Sequence, residues 1–180
     1  MQKSPSKSIE VACLTTHLAT VLIARSDKGV CSILLGDTAE SLYTDLQQRF
    51  PNAKLVESNH ALAPLLKKVA EFLAKPQAGL DFPLDIQGSD FQKSVWAILQ
   101  SIPVGQTLSY SEVAKRLNKP KAARAIASAS ACAANPLALV IPCHRVVRAD
   151  GGLSGYRWGI ERKRQLLAQE QHTTLTSAQG

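Results

Sequence analysis

"SYSEVAKRLNKPKAARAIASASACAAN", residues 109–135, decides how the second half of this chain folds. Ser109 followed three positions later by Glu112 is a capping box, in which each side chain accepts a backbone N–H that a helix start leaves free. It predicts a helix of two to three turns over "YSEVAKRLN". Asn118-Lys119-Pro120 then makes a tight turn. Pro120 suits the first position of a following helix, where its missing N–H loses nothing. That helix, predicted over Lys121–Ala134, is rich in alanine and serine and ends at Asn135-Pro136. Two short helices joined by three residues read as a helix-turn-helix unit.

The alanine-rich helix has two readings. Small side chains let two helices pack closely, and they also let one helix press into a nucleic-acid groove with Lys121 and Arg124 projecting from it. Lys93, Lys115, Arg116, Lys119, Lys121 and Arg124 surround the pair, and Glu112 is the only acid between Ser109 and Ala134. Such a cluster fits a phosphate-facing surface, although charge runs also simply solvate a face. Few long polar side chains are present to read base edges, so DNA binding is expected to carry little sequence preference.

Upstream, "SDFQKSVWAILQSI" (89–102) opens with a second capping box, Ser89 and Gln92, and aligns Phe91, Val95, Ile98 and Leu99 on one helix face. Before Ser89 the grammar differs. "IEVACL", "ATVLIARS" and "GVCSILLGD" within 9–36 are short β-branched runs between turns, and they predict antiparallel strands. Residues 38–50 place Leu42, Leu46 and Phe50 at helical spacing behind Thr38 as N-cap, and Pro51 stops the helix. Residues 61–74 repeat the pattern, with Pro64 near the first turn. "LDFPLDIQG" (80–88) reads as a last strand or an extended linker. The tail from Gln171 reads as frayed. The fold class expected is α+β, with domains over 1–88 and 89–180.

The chain has 180 residues, 45% of them hydrophobic, enough for a real core without staples. Its net charge of +7 suits a polyanionic partner. Cys13, Cys31, Cys132 and Cys143 have no disulfide or zinc-finger spacing. The polar start lacks the apolar stretch of a signal peptide, and no run approaches the roughly 20 apolar residues of a membrane span. A soluble, cytoplasmic protein with reduced thiols is expected.

Downstream lies "VIPCHRVV", residues 140–147, where Cys143, His144 and Arg145 interrupt an apolar run that reads as buried strand. A thiol beside cationic and hydrogen-bonding groups is more easily ionised. Neighbours on an extended segment point opposite ways, so a bridging water or a turn at Pro142 would have to bring His144 to the sulfur. "RADGGLSGYRWG" follows, with four glycines for close backbone approach and two aromatics, Tyr156 and Trp158, able to wall a flat ligand.

"IPCHRVV", with Asn135-Pro136 eight positions before the cysteine, "SGYRWG" after it and "SYSEVA…KPKAARA" before it, resembles the O6-alkylguanine-DNA alkyltransferases, and within them the C-terminal half of the bacterial adaptive-response protein. The likeness runs from about residue 18 to about residue 170. It implies a ribonuclease-H-like N-terminal α/β domain and a winged-helix-like C-terminal domain. It also implies a monomeric DNA-repair enzyme, without cofactor or metal, acting once on duplex DNA that carries O6-alkylguanine, with O4-alkylthymine as a second lesion. By the same resemblance Cys143 is the alkyl acceptor, His144 its activator through a water, and Glu170 the group that orients His144. Asn135 braces the turn before the cysteine. Tyr110 lies near the flipped nucleotide and protonates the leaving guanine at N3. Arg124 fills the gap in the stack, and Ser109 and Lys121 lie on the DNA face. The carbonyls of Cys143 and Val146 accept from the guanine amino group, while Tyr156, Arg157 (through its amide) and Trp158 close the pocket.

Two departures stand out. Arg124 lies eleven residues before Asn135, two more than in the family pattern, and the excess sits in the "ASASA" run as if an Ala-Ser pair were doubled. Two residues turn an ideal helix by about 200°, so either a bulge absorbs them or Arg124 is displaced. Trp158 stands where other members carry a small residue, which implies a narrow pocket that takes methyl better than benzyl groups. Cys13, His17, Cys31 and His60 do not match the zinc ligand spacing of some members. Two other functions compete: a non-catalytic protein that only binds alkylguanine, and a cysteine hydrolase built on Cys143, His144 and Glu170. The second lacks an oxyanion-hole motif.

Overall fold

The three predicted apolar runs pair as antiparallel strands, β1 (Ser8–Thr15), β2 (Thr20–Arg25) and β3 (Val30–Gly36). The computed structural model describes residues 7–127, 134–153 and 155–178, with side chains as far as Gln171. β2 from Thr20 to Ala24 and β3 from Val30 to Leu35 are buried throughout, which is why their sequences run apolar instead of alternating. Helix α1 (Ala39–Arg49) packs on β2 and β3, and α2 (Asn59–Ala74) on β1 and β2. Thr38 caps α1 as expected, its hydroxyl accepting the Ser41 N–H. A fourth strand, β4 (Lys54–Glu57), pairs parallel with β1 and completes the order β3-β2-β1-β4. Sequence reading passed over it because a largely exposed edge strand shows no buried face. α2 starts at Asn59, two residues earlier than predicted, so Pro64 lies inside the helix rather than near its first turn.

β3 is a border of the sheet, and two segments seal it. Residues 80–88 form no strand of their own. They run extended past the start of β3, where the Val30 N–H bonds Pro83 O at 2.9 Å and the Asp85 N–H bonds Val30 O at 2.8 Å. Gly29 is obligatory there: its φ is +152°, and a Cβ would fall 2.7 Å from the Pro83 oxygen. Farther along, the Ile33 N–H bonds Pro136 O and the Ala138 N–H bonds Ile33 O, each at 2.9 Å. The Ser32 hydroxyl adds a third bond to Pro136 O at 3.0 Å.

In the second half, α3 (Asp90–Gln100) and α4 (Tyr110–Arg116) both begin with complete capping boxes, Ser89/Gln92 and Ser109/Glu112. α3 buries Val95, Trp96 and Leu99, while Phe91 and Ile98 are half-buried. α4 closes in a Schellman motif. Asn118 takes φ +58°, its N–H bonds Lys115 O, and the Lys119 N–H reaches back to Ala114 O. That motif lengthens the connection, so α5 (Ala123–Ala127) starts at Ala123 rather than Lys121, and Pro120 sits in a turn instead of at the helix start. The Ala-Ser repeat falls on 128–133, outside the described residues.

The apolar run 137–142 is not a strand. Pro136 and Pro142 lack ladder donors, and the backbone turns repeatedly: Leu139 has φ +72°, the Val140 N–H bonds Ala138 O, and the Cys143 N–H bonds Ile141 O. Cys143–Arg145 form one turn of 3-10 helix. Only β6 (Val146–Val147) is extended, and it pairs in parallel with β5 (Leu108–Ser109). Helix α6 (Ile160–Ala178) runs through the stretch predicted to fray. Buried hydrophobic residues form one contiguous cluster from β1 to α6. Among the described residues no helix is long and apolar enough to cross a membrane.

Candidate active site

Asn135 is fully buried and spends its whole side chain on the loop that follows it. Its Oδ1 accepts the Leu137 N–H at 2.8 Å, and its Nδ2 donates to Ile141 O at 2.8 Å and to Cys143 Sγ at 3.2 Å. A strained, turn-rich segment is thereby laced to one side chain, which presents an N–H to the sulfur. Hydrogen bonds to a sulfur favour its ionised form.

His144 and Glu170 are buried against each other at 2.8 Å, Nε2 to Oε1. Arg145 binds the same carboxylate with Nε and Nη2, the latter at 2.8 Å, and gives Nη1 to Ile102 O at 2.7 Å. Burial opposes ionisation of Glu170, yet the hydrogen bonds and charges of its partners outweigh it and hold the carboxyl at about 2. Arg145 supplies the permanent charge in that trio. Burial keeps His144 below the ordinary histidine range, so it is neutral. An ionised carboxylate only accepts, hence His144 carries its proton on Nε2 and leaves Nδ1 a free acceptor. That Nδ1 is enclosed and has no partner among the described residues.

Two further enclosed polar atoms lie in the same neighbourhood, the Tyr156 hydroxyl and the Trp158 indole N–H. The Tyr156 ring stands edge-on to His144 at 6.5 Å and to Trp158 at 5.3 Å. Burial, with the nearby Cys143 and Glu170 charges, raises the Tyr156 phenol well above its usual value, so it remains a neutral donor.

The structure thus brings together Cys143, His144, Glu170, Asn135, Tyr156 and Trp158. Val146 O already accepts from the buried Lys163 Nζ at 2.6 Å, and Cys143 O accepts the Val146 N–H. The Ser109 hydroxyl is taken up as the α4 cap. Tyr110 is half-buried at the start of that helix. Lys121 and Arg124 are exposed, as are Lys93, Lys115, Arg116 and Lys119. Lys119 lies 5.5 Å over the Phe91 ring.

Sequence reasoning assigned no role to Arg145 or Lys163. For α6 a signal existed: Lys163, Leu166 and Glu170 share the buried stripe, and charged residues on such a stripe need buried partners. Cys31 is a core residue whose thiol bonds Ala24 O and is pushed up to about 11, chiefly by burial. A cavity of roughly 720 Å³ lies elsewhere, among Lys7, Lys28, Arg49, Phe50 and Asp85; none of the cysteine-site residues lines it. All the net charge resides in the second half: residues 1–88 hold nine Lys and Arg against nine Asp and Glu, and residues 89–180 hold twelve against five.

Residues 90–172 match the family model of the 6-O-methylguanine DNA methyltransferase DNA-binding domain. The chain is 47% identical over 163 residues to the Escherichia coli bifunctional transcriptional activator/DNA repair enzyme Ada, covering 91% of this chain and 46% of Ada. It thus spans about half the length of Ada and of the Salmonella typhimurium regulatory protein ada. It is 39% identical over 135 residues to the inducible methylated-DNA–protein-cysteine methyltransferase of Bacillus subtilis, covering 75% of this chain and 74% of that protein. Among solved structures, a Mycobacterium tuberculosis enzyme crystallised in complex with DNA superposes with a TM-score of 0.69 at 29% identity, over 92% of this chain and 94% of that one. Sequence and fold likeness agree, and the chain belongs to the methylated-DNA–protein-cysteine methyltransferase family.

Proposed function

We propose that this protein repairs DNA by taking a methyl or larger alkyl group from O6 of guanine in a duplex onto Sγ of its own Cys143. The observation that carries the reading is the chain of contacts Asn135–Cys143 and His144–Glu170–Arg145, a thiol given an N–H donor beside a neutral imidazole with one free acceptor nitrogen. In the reaction His144 Nδ1 takes the thiol proton through a water, and the sulfur attacks the alkyl carbon in line. The carbon–oxygen bond breaks toward guanine, which gains a proton at N3 from Tyr110. The resulting thioether has no leaving route, so each molecule acts once and needs no cofactor or metal.

The target base must leave the stack to meet a buried sulfur, at a cost of a few kcal/mol. The exposed cations of α4, α5 and the turn between them, Lys115, Arg116, Lys121 and Arg124, suit the phosphate backbone, with Arg124 as the residue that fills the vacated stack and Ser109 at the DNA face. In this reading the carbonyls of Cys143 and Val146 accept from the guanine amino group. Tyr156, the Arg157 amide and Trp158 close the pocket. We read residues 1–88 as a ribonuclease-H-like domain and 89–180 as a winged-helix-like one, in a cytoplasmic monomer. The three antiparallel strands with a parallel fourth support the first reading, and the α4–α5 pair flanked by the two strands of the β5–β6 ladder supports the second.

Incubation with a duplex containing O6-methylguanine, followed by intact mass, tests the proposal. One methyl gained per chain, lost in Cys143→Ala, is expected. Binding without a mass change, or turnover of an ester or peptide, overturns it.

A further inference from the structure

The loop that carries Cys143 is held from inside by the Asn135 side chain, so the sulfur can be no better placed than the Asn135 backbone. Leu139 in a left-handed conformation makes this loop one that persists only while its surroundings enforce it. The carbonyls of Ala134 and Asn135, two consecutive acceptors, are each taken by a guanidinium. Arg49 Nη1 of α1 donates to Ala134 O at 3.4 Å, and Arg157 Nη1 of the pocket loop donates to Asn135 O. Arg157 also lies 5.2 Å over the Trp158 ring, with Nη2 4.0 Å from Asp45 Oδ2. Asp45 and Arg49 are four residues apart on α1 and so face the same way. Burial depresses both guanidinium groups, and Arg157 depresses Arg49 further while Asp45 opposes the shift on Arg157. Two like charges brought this close are there for what they grip.

We propose that the Arg157 side chain, with Asp45 as counter-ion and Arg49 beside it, is a positioning residue that clamps the Ala134–Asn135 backbone and, through Asn135, sets the hydrogen bond to Cys143. The role is separate from the backbone amide of Arg157, and it reaches across the molecule, since Asp45 and Arg49 belong to the first half. It rests on the reading of Cys143 as acceptor.

Two measurements on the full chain test it. The first is the pH profile of iodoacetamide alkylation, read on the Cys143 peptide, which needs no DNA. The second is single-turnover methyl transfer at saturating methylated duplex, with the duplex Kd measured separately. In Arg157→Met the alkylation midpoint is expected to move up by about half a pH unit or more as the sulfur loses its fixed donor. Methyl transfer slows about tenfold or more, while Kd stays within about threefold. Arg157→Lys, which keeps a donor cation, recovers most of both effects. In an Asn135→Ala background Arg157→Met adds nothing, because the two act as one unit. Asp45→Asn, at a half-exposed position, moves the midpoint in the same direction by less. The clamp is overturned by an unshifted midpoint in both Arg157→Met and Asp45→Asn, by Lys performing no better than Met, or by effects that multiply with Asn135→Ala. A wild-type chain that accepts no methyl while the midpoint shifts still hold would sink the acceptor reading and leave the clamp standing.

Discussion

Arg25–Glu10 on β1 and β2, and Arg145–Glu170 beneath the thiol, both close at 2.8 Å, but they stand in different surroundings. The first pair joins facing strand residues with side chains 34% and 40% exposed; the second has 8% and 2%. In water the first contributes roughly 0.2–1 kcal/mol, because hydration and side-chain entropy offset the attraction. The second has lost its hydration and regains it only through the fork of Arg145, the His144 N–H and the Ile102 carbonyl. Its net stabilisation is small by comparison with the cost of breaking it. What it provides is a carboxylate that stays ionised beside His144 and fixes which nitrogen bears the proton. The halves differ in the same way. Thr20 and Ser32 are the buried polar residues described in the first, against Asn135, His144, Arg145, Lys163 and Glu170 in the second.

The hardest test of that contrast is Glu170→Gln. It leaves Arg145 buried without its countercharge, and urea melts should register a loss of about 3–5 kcal/mol. Methyl transfer should fall about a hundredfold, since an amide, which can donate as well as accept, no longer fixes the His144 proton on Nε2. The pH dependence of stability carries its own signature. Glu170 titrates at about 2 in the folded chain and at its ordinary 4.5 when unfolded. Its stabilisation is therefore complete above pH 4.5 and drains away as pH falls toward 2. The wild-type chain should lose stability across that window more steeply than Glu170→Gln; equal slopes would break the contrast.

Trp158→Ala probes packing at the same site with its charges intact. Opening the wall should speed reaction with a benzylguanine inhibitor by about tenfold relative to methylated duplex. An unchanged ratio would remove Trp158 from the pocket. Ser32→Ala deletes a buried hydroxyl in the neutral half, whose acceptor keeps the Ile33 N–H; a loss near 1 kcal/mol in thermal melts is expected, with methyl transfer within about threefold of wild type. Glu10→Gln should be the mildest, under about 1 kcal/mol and shrinking further in high salt. A loss rivalling that of Glu170→Gln would erase the distinction between the pairs.

Elements whose signals are local were legible in the sequence. Both capping boxes, the Thr38 cap and the three apolar strands form where spacing placed them, because each depends on residues within a few positions. β4 and the turns of 137–142 were not legible. One is defined by its pairing with β1 and the other by prolines and by bonds from Asn135, and apolar composition reports burial without conformation. At the site, the roles expected of Cys143, His144, Asn135 and Glu170 came from a resemblance. Arg145 stood in the quoted motif and still received no role, since its partner lies 25 residues away on α6. Lys163 received no role either, since its acceptor, Val146 O, lies 17 residues away.

Pro136 and Ala138 bond to the outer border of β3, and the same stretch leads straight into the thiol loop. An open strand border invites other chains to add to it. Here the segment that leads into the Cys143 loop also plugs that border, so protection of the sheet edge and the proposed repair chemistry share a few backbone atoms. Mutations that loosen one must expose the other, which leaves this seam little freedom to drift.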